Sequence, residues 1–324
     1  MAAAPAAAAA PGYHPSGWLR RDAHHVVRAV AFATLTATRR ADIQRRALRH
    51  AAAAGIAAVH ECGGPGTSSE EDFTSVLSLS ADRAPQVYGY WGELQAAAKA
   101  RDLGATGAGG DLYADGALGA RTAHLRQPYL DGDGVGHAYL SAEQVRDHLL
   151  DCHRHGLQGG FHAIGDAAIA TVLAGFAAAA GEVGLPRLRA ARHRVEHAEL
   201  ADRAMIAAFV EYGVVASMQP AFDLLWGGRD KMYARRLGVE RSLASNPLGA
   251  MHSVGVALAF GSDSPVTPLD PWGAVRAAVF HHNPTQRMSP GAAFAAHTRG
   301  GWRAVHQDDH GLLTPGAPAT FAVW

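Results

Sequence analysis

Cysteine is scarce in this sequence. Only two, Cys62 and Cys152, occur among 324 residues, and they lie far apart with no CxxC pair. The sequence therefore predicts neither a disulfide framework nor a cysteine-rich zinc site. This cysteine usage is typical of a protein of the reducing cytoplasm.

Net charge is also absent, since 29 Lys and Arg are balanced by 29 Asp and Glu. A neutral chain has no overall field that attracts nucleic acid or an anionic membrane surface. No uninterrupted apolar run reaches membrane-spanning length, and the opening MAAAPAAAAAPG lacks the basic and leucine-rich regions of a signal peptide. We expect a disordered leader over residues 1–15 and a cytoplasmic protein that acts on a small molecule; a homo-oligomer is not excluded.

The sequence does contain short apolar or β-branched runs that alternate with Ala- and Leu-rich helical stretches. These runs are IAAVH (56–60), VYGYW (87–91), DLYADG (111–116), GGFHAIG (159–165), RHRVEHA (192–198), VVASMQP (214–220) and ALAFGSD (257–263). Strands separated by helices predict an α/β protein with a parallel sheet, built as an open doubly wound sheet or as a (β/α)₈ barrel.

Several of the intervening helices carry start signals, either a capping box or a cap followed by proline. The pairs are Ser68/Glu71, Ser141/Gln144, Asp270/Pro271 and Ser289/Pro290. In addition, Asp166 is expected to cap a helix that begins at Ala167.

Polar residues at the strand ends favour the barrel. His60, His162, His197 and Asp263 each lie at or near the end of a run and precede a turn. In a barrel, functional side chains converge at the carboxyl ends of the strands. The run HECGGPGTS (60–68) lacks the GxGxxG spacing of a dinucleotide site, which disfavours the open sheet. We therefore predict a (β/α)₈ TIM-like barrel with its first strand missing.

The strongest polar set is His162, His197 and Asp263. Two neutral imidazoles and a carboxylate suit a divalent ion such as Zn²⁺, with one position open for water. Each residue alone also fits a structural role, as a packed histidine or as an aspartate that caps the turn before Pro265. Together, three ligand-type residues at three strand ends favour a metal site.

Five longer segments stand in a fixed order along the chain: DGALGARTA (115–123), FHAIGDAAI (161–169), RHRVEHAEL (192–200), VASMQPAF (215–222) and FGSDSPVTPLDPWGAV (260–275). In this order they resemble the metal-dependent amidohydrolase superfamily, in its amidohydrolase-3 or YtcJ-like branch. The resemblance extends from SGWLRRDAHH (16–25) to the last residue. It implies a distorted barrel that holds metal at its carboxyl end and hydrolyses a non-peptide C–N bond.

The resemblance also implies roles for single residues. His162 and His197 resemble the metal ligands of the fifth and sixth barrel strands, and Asp263 resembles the eighth-strand aspartate, which contacts the metal and transfers protons. A bound metal lowers the pKa of water from near 16 to about 7. Asp263 would take the proton of that water and pass it to the leaving nitrogen.

Asp115, Arg121 and Gln219 are predicted to contact the substrate. A turn aspartate and a paired arginine explain the first two residues equally well. Many superfamily members have a metal-bridging lysine on the fourth strand, and the matching position here is Asp111. Because aspartate is too short to bridge the same two metals, we predict one ion, a single Zn²⁺, with Asp111 as a further candidate ligand.

The superfamily's first-strand His-x-His pair has no match upstream of IAAVH, where His24 and His25 are adjacent in a predicted helix. We therefore expect a chain without its N-terminal region, a barrel over residues 16–310, and one strand of a β-sandwich remnant over 311–324. Such a chain is expected to be a poor catalyst by itself.

Two other function classes stay open. A catalytically weak barrel could serve as a metal-binding or scaffold protein. A metal-independent isomerase or lyase could use His162 and His197 as general acid and base. Measurement of bound metal distinguishes a metal-dependent hydrolase from a metal-independent isomerase or lyase. Measurement of turnover by the chain itself distinguishes both enzymes from a scaffold protein.

Overall fold

The computed structural model describes residues 4–19, 21–79 and 85–324. Within them, seven strands form one sheet in chain order, and each neighbouring pair is parallel. The strands are β1 (Ala58–Gly63), β2 (Gln86–Trp91), β3 (Gly107–Ala108), β4 (Gln158–Ala163), β5 (Arg194–His197), β6 (Val215–Met218) and β7 (Ala257–Phe260). The predicted parallel α/β architecture is confirmed.

Helices connect these strands and cover the sheet. They are α1 (Ala4–Ala9), α2 (Arg21–Ala33), α3 (Ala37–Ala53), α4 (Glu70–Leu79), α5 (Ala97–Asp102), α6 (Ala142–His155), α7 (Asp166–Val183), α8 (Leu185–Ala190), α9 (Arg203–Tyr212), α10 (Pro220–Trp226), α11 (Met232–Leu237), α12 (Val239–Ala244), α13 (Leu248–Ser253), α14 (Pro271–Val279), α15 (Pro290–His297) and α16 (Arg299–Ala304).

The sheet curls in the manner of a TIM-like barrel, so that strands distant in order face one another. Arg194 Nη1 on β5 lies 3.1 Å from His60 Nδ1 on β1. The Tyr90 hydroxyl on β2 donates to Gln158 Oε1 on β4 over 2.5 Å. The concave side is therefore lined by polar groups, and the apolar core lies between the convex side and the helices.

Helix α7 illustrates that outer core. Its buried residues Ile169, Val172 and Phe176 belong to the largest apolar cluster, which also contains Phe161 of β4. Within the described ranges, this is the one helix that is long and apolar enough to cross a membrane by length and composition alone. Here it packs as the core helix of an α/β layer.

Every predicted strand but one overlaps an observed strand. The prediction for DLYADG is wrong, because β3 lies upstream and residues 111–116 contribute only an isolated bridge between Tyr113 and His162. Gly109 and Gly110 have φ values of 154° and 76°, so the chain leaves the strand there in a conformation that favours glycine. Strand β1 continues to Gly63, which places His60 in mid-strand rather than at its end.

Most of the predicted helix starts are confirmed. Ser141 and Gln144 form a complete capping box on α6, and the Asp270 and Ser289 side chains each cap the first turn of their helix. The start at Ser68 is wrong by one residue, since the Ser69 hydroxyl accepts from Asp72 N at 3.2 Å and α4 begins at Glu70. Asp166 is itself the first residue of α7, although its Oδ1 does accept from Ala167 N at 3.0 Å.

The two ends of the chain differ from expectation. Residues 4–9 of the expected disordered leader form α1, and residues 1–3 lie outside the described ranges. The described segment 311–324 contains no strand, so the predicted sandwich strand is wrong. Instead, the Trp324 ring lies 5.5 Å from the Trp272 ring and so close to Gly55 that an added Cβ there would come within 2.3 Å of it.

Candidate metal centre

The predicted ligand residues lie at the carboxyl end of the sheet, where barrel enzymes place their functional groups. His162 is the penultimate residue of β4, and His197 is the last residue of β5. Asp263 follows β7 by three residues, and Asp111 follows β3 by three residues. The strands thus direct all four toward one end of the sheet.

His162 and His197 lie side by side, with ring centroids 4.5 Å apart and planes at 71°. His162 Nε2 lies 3.1 Å from the Gly116 carbonyl oxygen, and His197 Nδ1 lies 2.8 Å from Gln219 Oε1. The Gln219 amide is oriented by its own Nε2, which donates to Ser217 O at 3.3 Å. The Gly116 carbonyl oxygen and Gln219 Oε1 cannot donate a hydrogen bond. Each ring therefore carries its proton on the nitrogen that bonds to that oxygen. The lone pairs of His162 Nδ1 and His197 Nε2 therefore remain open.

Backbone strain accompanies these positions. His197 has φ 74°, Ala198 has φ 47°, and Asp263 has φ 54°. A left-handed conformation is uncommon for residues other than glycine, and it costs of order 1–3 kcal/mol unless the surroundings enforce it. The Phe222 ring stacks on the His197 ring at 5.8 Å and 12°, and it is one of the groups that fix this arrangement.

The nearby carboxylates are shifted toward their neutral forms. The pKa of Asp111 is raised to about 6, mainly by burial and in part by the charge of Asp263, while a hydrogen bond from Tyr113 acts in the opposite direction. Burial also raises the pKa of Asp263, and the charge of Glu196 raises it as well, whereas a protonated His197 would lower it. A bound cation would favour the charged forms of both carboxylates.

The structure brings His162 and His197 together as predicted. It does not complete the set, since within residues 4–19, 21–79 and 85–324 no three His, Cys, Asp or Glu side chains gather as a metal cluster. The donor types still fit a divalent ion, because two neutral imidazoles with open lone pairs and the carboxylates of Asp111 and Asp263 lie on or just after strands that end at the same edge of the sheet. In each ring, the nitrogen that would not bind the metal already donates a hydrogen bond to a protein oxygen, which is usual for metal-binding histidines.

Asp115 was predicted to contact the substrate, but its side chain lies inside the protein. Its side chain is fully buried and accepts from the backbone N–H groups of Ile164 at 3.0 Å, Gly165 at 2.8 Å and His124 at 2.8 Å. Burial raises its pKa to about 7, although these donors lower it. This geometry fits a residue that positions the loop after β4.

The other two predicted substrate residues are also engaged with protein. Arg121 donates to Asp131 from Nε at 3.0 Å and from Nη2 at 2.9 Å. Gln219 is buried and holds His197. Substrate contact by Arg121 and by Gln219 stays a prediction, and in this structure Gln219 also positions His197.

Sequence reasoning missed a buried polar network beneath the histidines. Arg194 donates to Glu196 from Nε at 2.5 Å and from Nη2 at 3.0 Å, and it bonds Ser217 Oγ at 2.9 Å. Its guanidinium also lies 4.4 Å from the Tyr90 ring centroid. Burial and the Arg194 charge lower the pKa of His60 to about 3, so His60 is a neutral member of this network. The alternation of Arg194, Val195 and Glu196 could have revealed that both charges face one side.

Comparisons with known proteins agree with this architecture. The model of the amidohydrolase family, Amidohydro_3, matches residues 4–324. The Arabidopsis thaliana protein LONG AFTER FAR-RED 3 is 32% identical over 222 residues, which is 65% of this chain and 37% of that protein. YtcJ of Bacillus subtilis strain 168 is 27% identical over 228 residues, which is 65% of this chain and 41% of that protein.

A solved structure of an uncharacterized metal-dependent hydrolase from Pyrococcus furiosus superposes with a TM-score of 0.78 at 25% identity. It matches 97% of this chain, and the match covers 66% of the solved chain. The aligned regions span only about two fifths of the two curated relatives. The resemblance inferred from the five sequence segments is confirmed: the chain belongs to the amidohydrolase family, and to its YtcJ-like members.

Proposed function

We propose that this chain carries the catalytic sheet of a metal-dependent hydrolase that cleaves a non-peptide C–N bond, such as the amide of an N-acyl or N-formyl amine. The observation that supports this most is the pair His162 and His197, whose bonds to Gly116 and Gln219 leave one lone pair open on each ring. Family membership supports the reaction class, and the likeness to the metal-dependent hydrolase of Pyrococcus furiosus supports metal dependence.

In this proposal His162 and His197 hold one Zn²⁺ through their open nitrogens, with Asp263 as the carboxylate ligand and Asp111 as a further candidate. When bound, the metal supplies a hydroxide at neutral pH and polarises the scissile carbonyl. The chain's own groups do the remaining work. Gly116 and Gln219 fix the two imidazole tautomers. The Asp263 carboxylate accepts the proton of the attacking water and returns it to the leaving nitrogen.

Zinc titration tests the metal part of the proposal. After treatment with a chelator, the chain is titrated with Zn²⁺ by calorimetry, alongside the variants His162→Ala and His197→Ala. Each variant removes one of a few ligands, so we expect at least a hundredfold weaker binding. His252→Ala is the matched control, because His252 is exposed on α13, and it should bind like the parent chain. Equal affinity of all four proteins would refute the assignment.

Turnover tests the reaction class. The zinc-loaded chain and Asp263→Asn are assayed against a panel of N-acyl and N-formyl amines. Both proteins are assayed at zinc concentrations that saturate them, because Asp263 is also a proposed ligand, and loss of the proton carrier should then reduce turnover by about 10²–10⁴-fold. Tight zinc binding without turnover by the parent chain would favour the metal-binding or scaffold class. Turnover that survives the chelator would favour the metal-independent class.

A further inference from the structure

A cavity lies at the opposite end of the sheet from the candidate metal centre. Its volume is about 340 Å³. Gln158, the buried first residue of β4, lies at its base, and the exposed residues Arg187 and His306 lie at its edge. Strand β4 rises by roughly 13 Å from Gln158 to His162. The two sites are therefore separate.

The described lining of this cavity has one cationic side chain, that of Arg187, and no acidic side chain. Its polar side chains are those of His153, Gln158, Arg187 and His306, and the others are glycine, alanine and leucine. The neighbouring Arg192 is neutralised by Asp308, at 2.9 and 2.6 Å. Among the residues that the structure describes, Arg187 has no such carboxylate partner. The cavity thus presents one unmatched guanidinium.

Hydrogen bonds determine which ring nitrogen carries the proton in His193 and in His153. Gly159 N donates to His193 Nδ1 over 2.7 Å, so His193 carries its proton on Nε2, which lies 3.2 Å from His153 Nε2. His153 must then accept at Nε2, and its own proton lies on Nδ1. That N–H has no partner in the described part of the chain, and His153 is one of the residues that line the cavity.

The walls of the cavity are fixed before any ligand binds. Gln158 Nε2 donates to Arg192 O at 2.5 Å and to Ala304 O at 2.9 Å, and Arg192 Nη1 donates to Arg303 O at 3.0 Å. Arg192 and His306 both have left-handed backbones, with φ 48° and 61°. A preformed pocket loses less entropy on binding than one that must be ordered.

We propose that this cavity binds a small organic carboxylate. The planar guanidinium of Arg187 matches the two oxygens of a carboxylate in a bidentate pair, and the His153 N–H adds a third donor. The volume is at the lower end for ligand pockets, and Leu157, Ala190 and Ala191 supply an apolar wall. These features favour an acid with a short hydrocarbon chain over inorganic phosphate, which would need more donors.

The probe is sodium butyrate, titrated into the full chain by calorimetry, with sodium phosphate and butylamine as comparisons. Butyrate should bind saturably, and Arg187→Gln should weaken binding at least about tenfold, as expected for a lost charged hydrogen bond. Arg189→Gln is the matched control on the same helix, because Arg189 Nη1 donates to the carbonyls of Val210 at 2.9 Å and Glu211 at 2.8 Å, outside the lining. It should change the affinity less than about twofold.

Hydrogen exchange locates the site. Butyrate should slow exchange in peptides that cover residues 153–159 and 187–191, and Ala190→Leu, which fills the cavity, should abolish this protection. Three results would overturn the proposal: equal weakening by Arg187→Gln and Arg189→Gln, protection confined to the carboxyl ends of the strands, or binding of phosphate but not of butyrate. All three are independent of zinc and turnover, so they do not bear on the proposed hydrolase.

Discussion

At the residue scale, the candidate metal centre depends on groups that set which nitrogen of each histidine is open. His162 and His197 were predictable, because each lies near the end of a predicted strand that precedes a turn. Their partners were not, since Gly116 acts through its backbone carbonyl and Gln219 lies in the next unit of the chain. No local sequence pattern predicts a hydrogen bond between side chains or backbone groups of different loops.

Gln219→Leu tests the importance of such a partner. Without Oε1, the His197 Nδ1–H loses its acceptor and the ring loses its fixed tautomer, so we expect zinc affinity to fall by about 10–100-fold. The measurement is competition with a chromophoric chelator. Gln127→Leu is the control, because Gln127 is exposed. If both variants bind zinc equally, the positioning role of Gln219 is wrong.

Buried neutral histidines also set the response to acid. Burial lowers the pKa of His193 to about 3, well below the ordinary value of 6.5. Between those pH values the unfolded chain binds one more proton than the native chain at this residue. Its contribution therefore makes the free energy of unfolding decrease as pH falls below about 6.5, by about 1.4 kcal/mol per pH unit.

In His193→Asn, the slope of the free energy of unfolding against pH should fall by about 1.4 kcal/mol per pH unit between pH 6 and pH 5, which corresponds to about one proton. Asparagine can still accept from Gly159 N but does not titrate. Urea unfolding at each pH supplies the free energies. The exposed His252→Asn should leave the slope as it is in the parent chain. An unchanged slope in His193→Asn would show that His193 is charged in the native protein.

At the element scale, the sequence predicted strands best where runs are short and largely apolar, as in β6 (VASM) and β7 (ALAF). It failed at DLYADG, because β3 is only Gly107–Ala108 and the glycines that follow take the chain out of the strand. It also failed at residues 311–324, where no strand forms and the Trp324 ring lies against Trp272 and Gly55. Strand pairing in such short segments depends on distant neighbours, which local propensity does not encode.

The capping box of α6 gives a prediction at this scale. Ser141 Oγ accepts from Gln144 N at 3.2 Å, and Gln144 Oε1 accepts from Ser141 N at 2.9 Å. Ser141→Ala should therefore lower the free energy of unfolding by about 1 kcal/mol. Ser78→Ala removes a hydroxyl whose one bond within the described residues is to Thr74 O of α4, and it should have little effect. Chemical denaturation compares the two, and equal losses would contradict the capping role.

At the scale of the whole molecule, the concave side of the sheet is organised around a buried charge. Arg194 on β5 contacts His60 on β1, Tyr90 on β2 and Ser217 on β6, besides Glu196 on its own strand. One side chain thus ties together strands that the curl brings face to face. The sequence placed polar residues at strand ends but did not indicate that an ion pair lies inside the sheet.

Removal of one partner of this pair tests how the interior is stabilised. Arg194→Met leaves the buried Glu196 carboxylate without its cation, so we expect a loss of about 3–5 kcal/mol in the free energy of unfolding. Arg194→Met combined with Glu196→Leu removes both charges. It should be more stable than Arg194→Met alone, although His60 and Ser217 still lose a donor at a cost of about 1–3 kcal/mol each. Both proteins and the Glu196→Leu single variant are unfolded with urea in the presence of chelator, so that zinc binding does not enter. If the two single losses add in the double variant, the charges act independently and Arg194 is not held by Glu196.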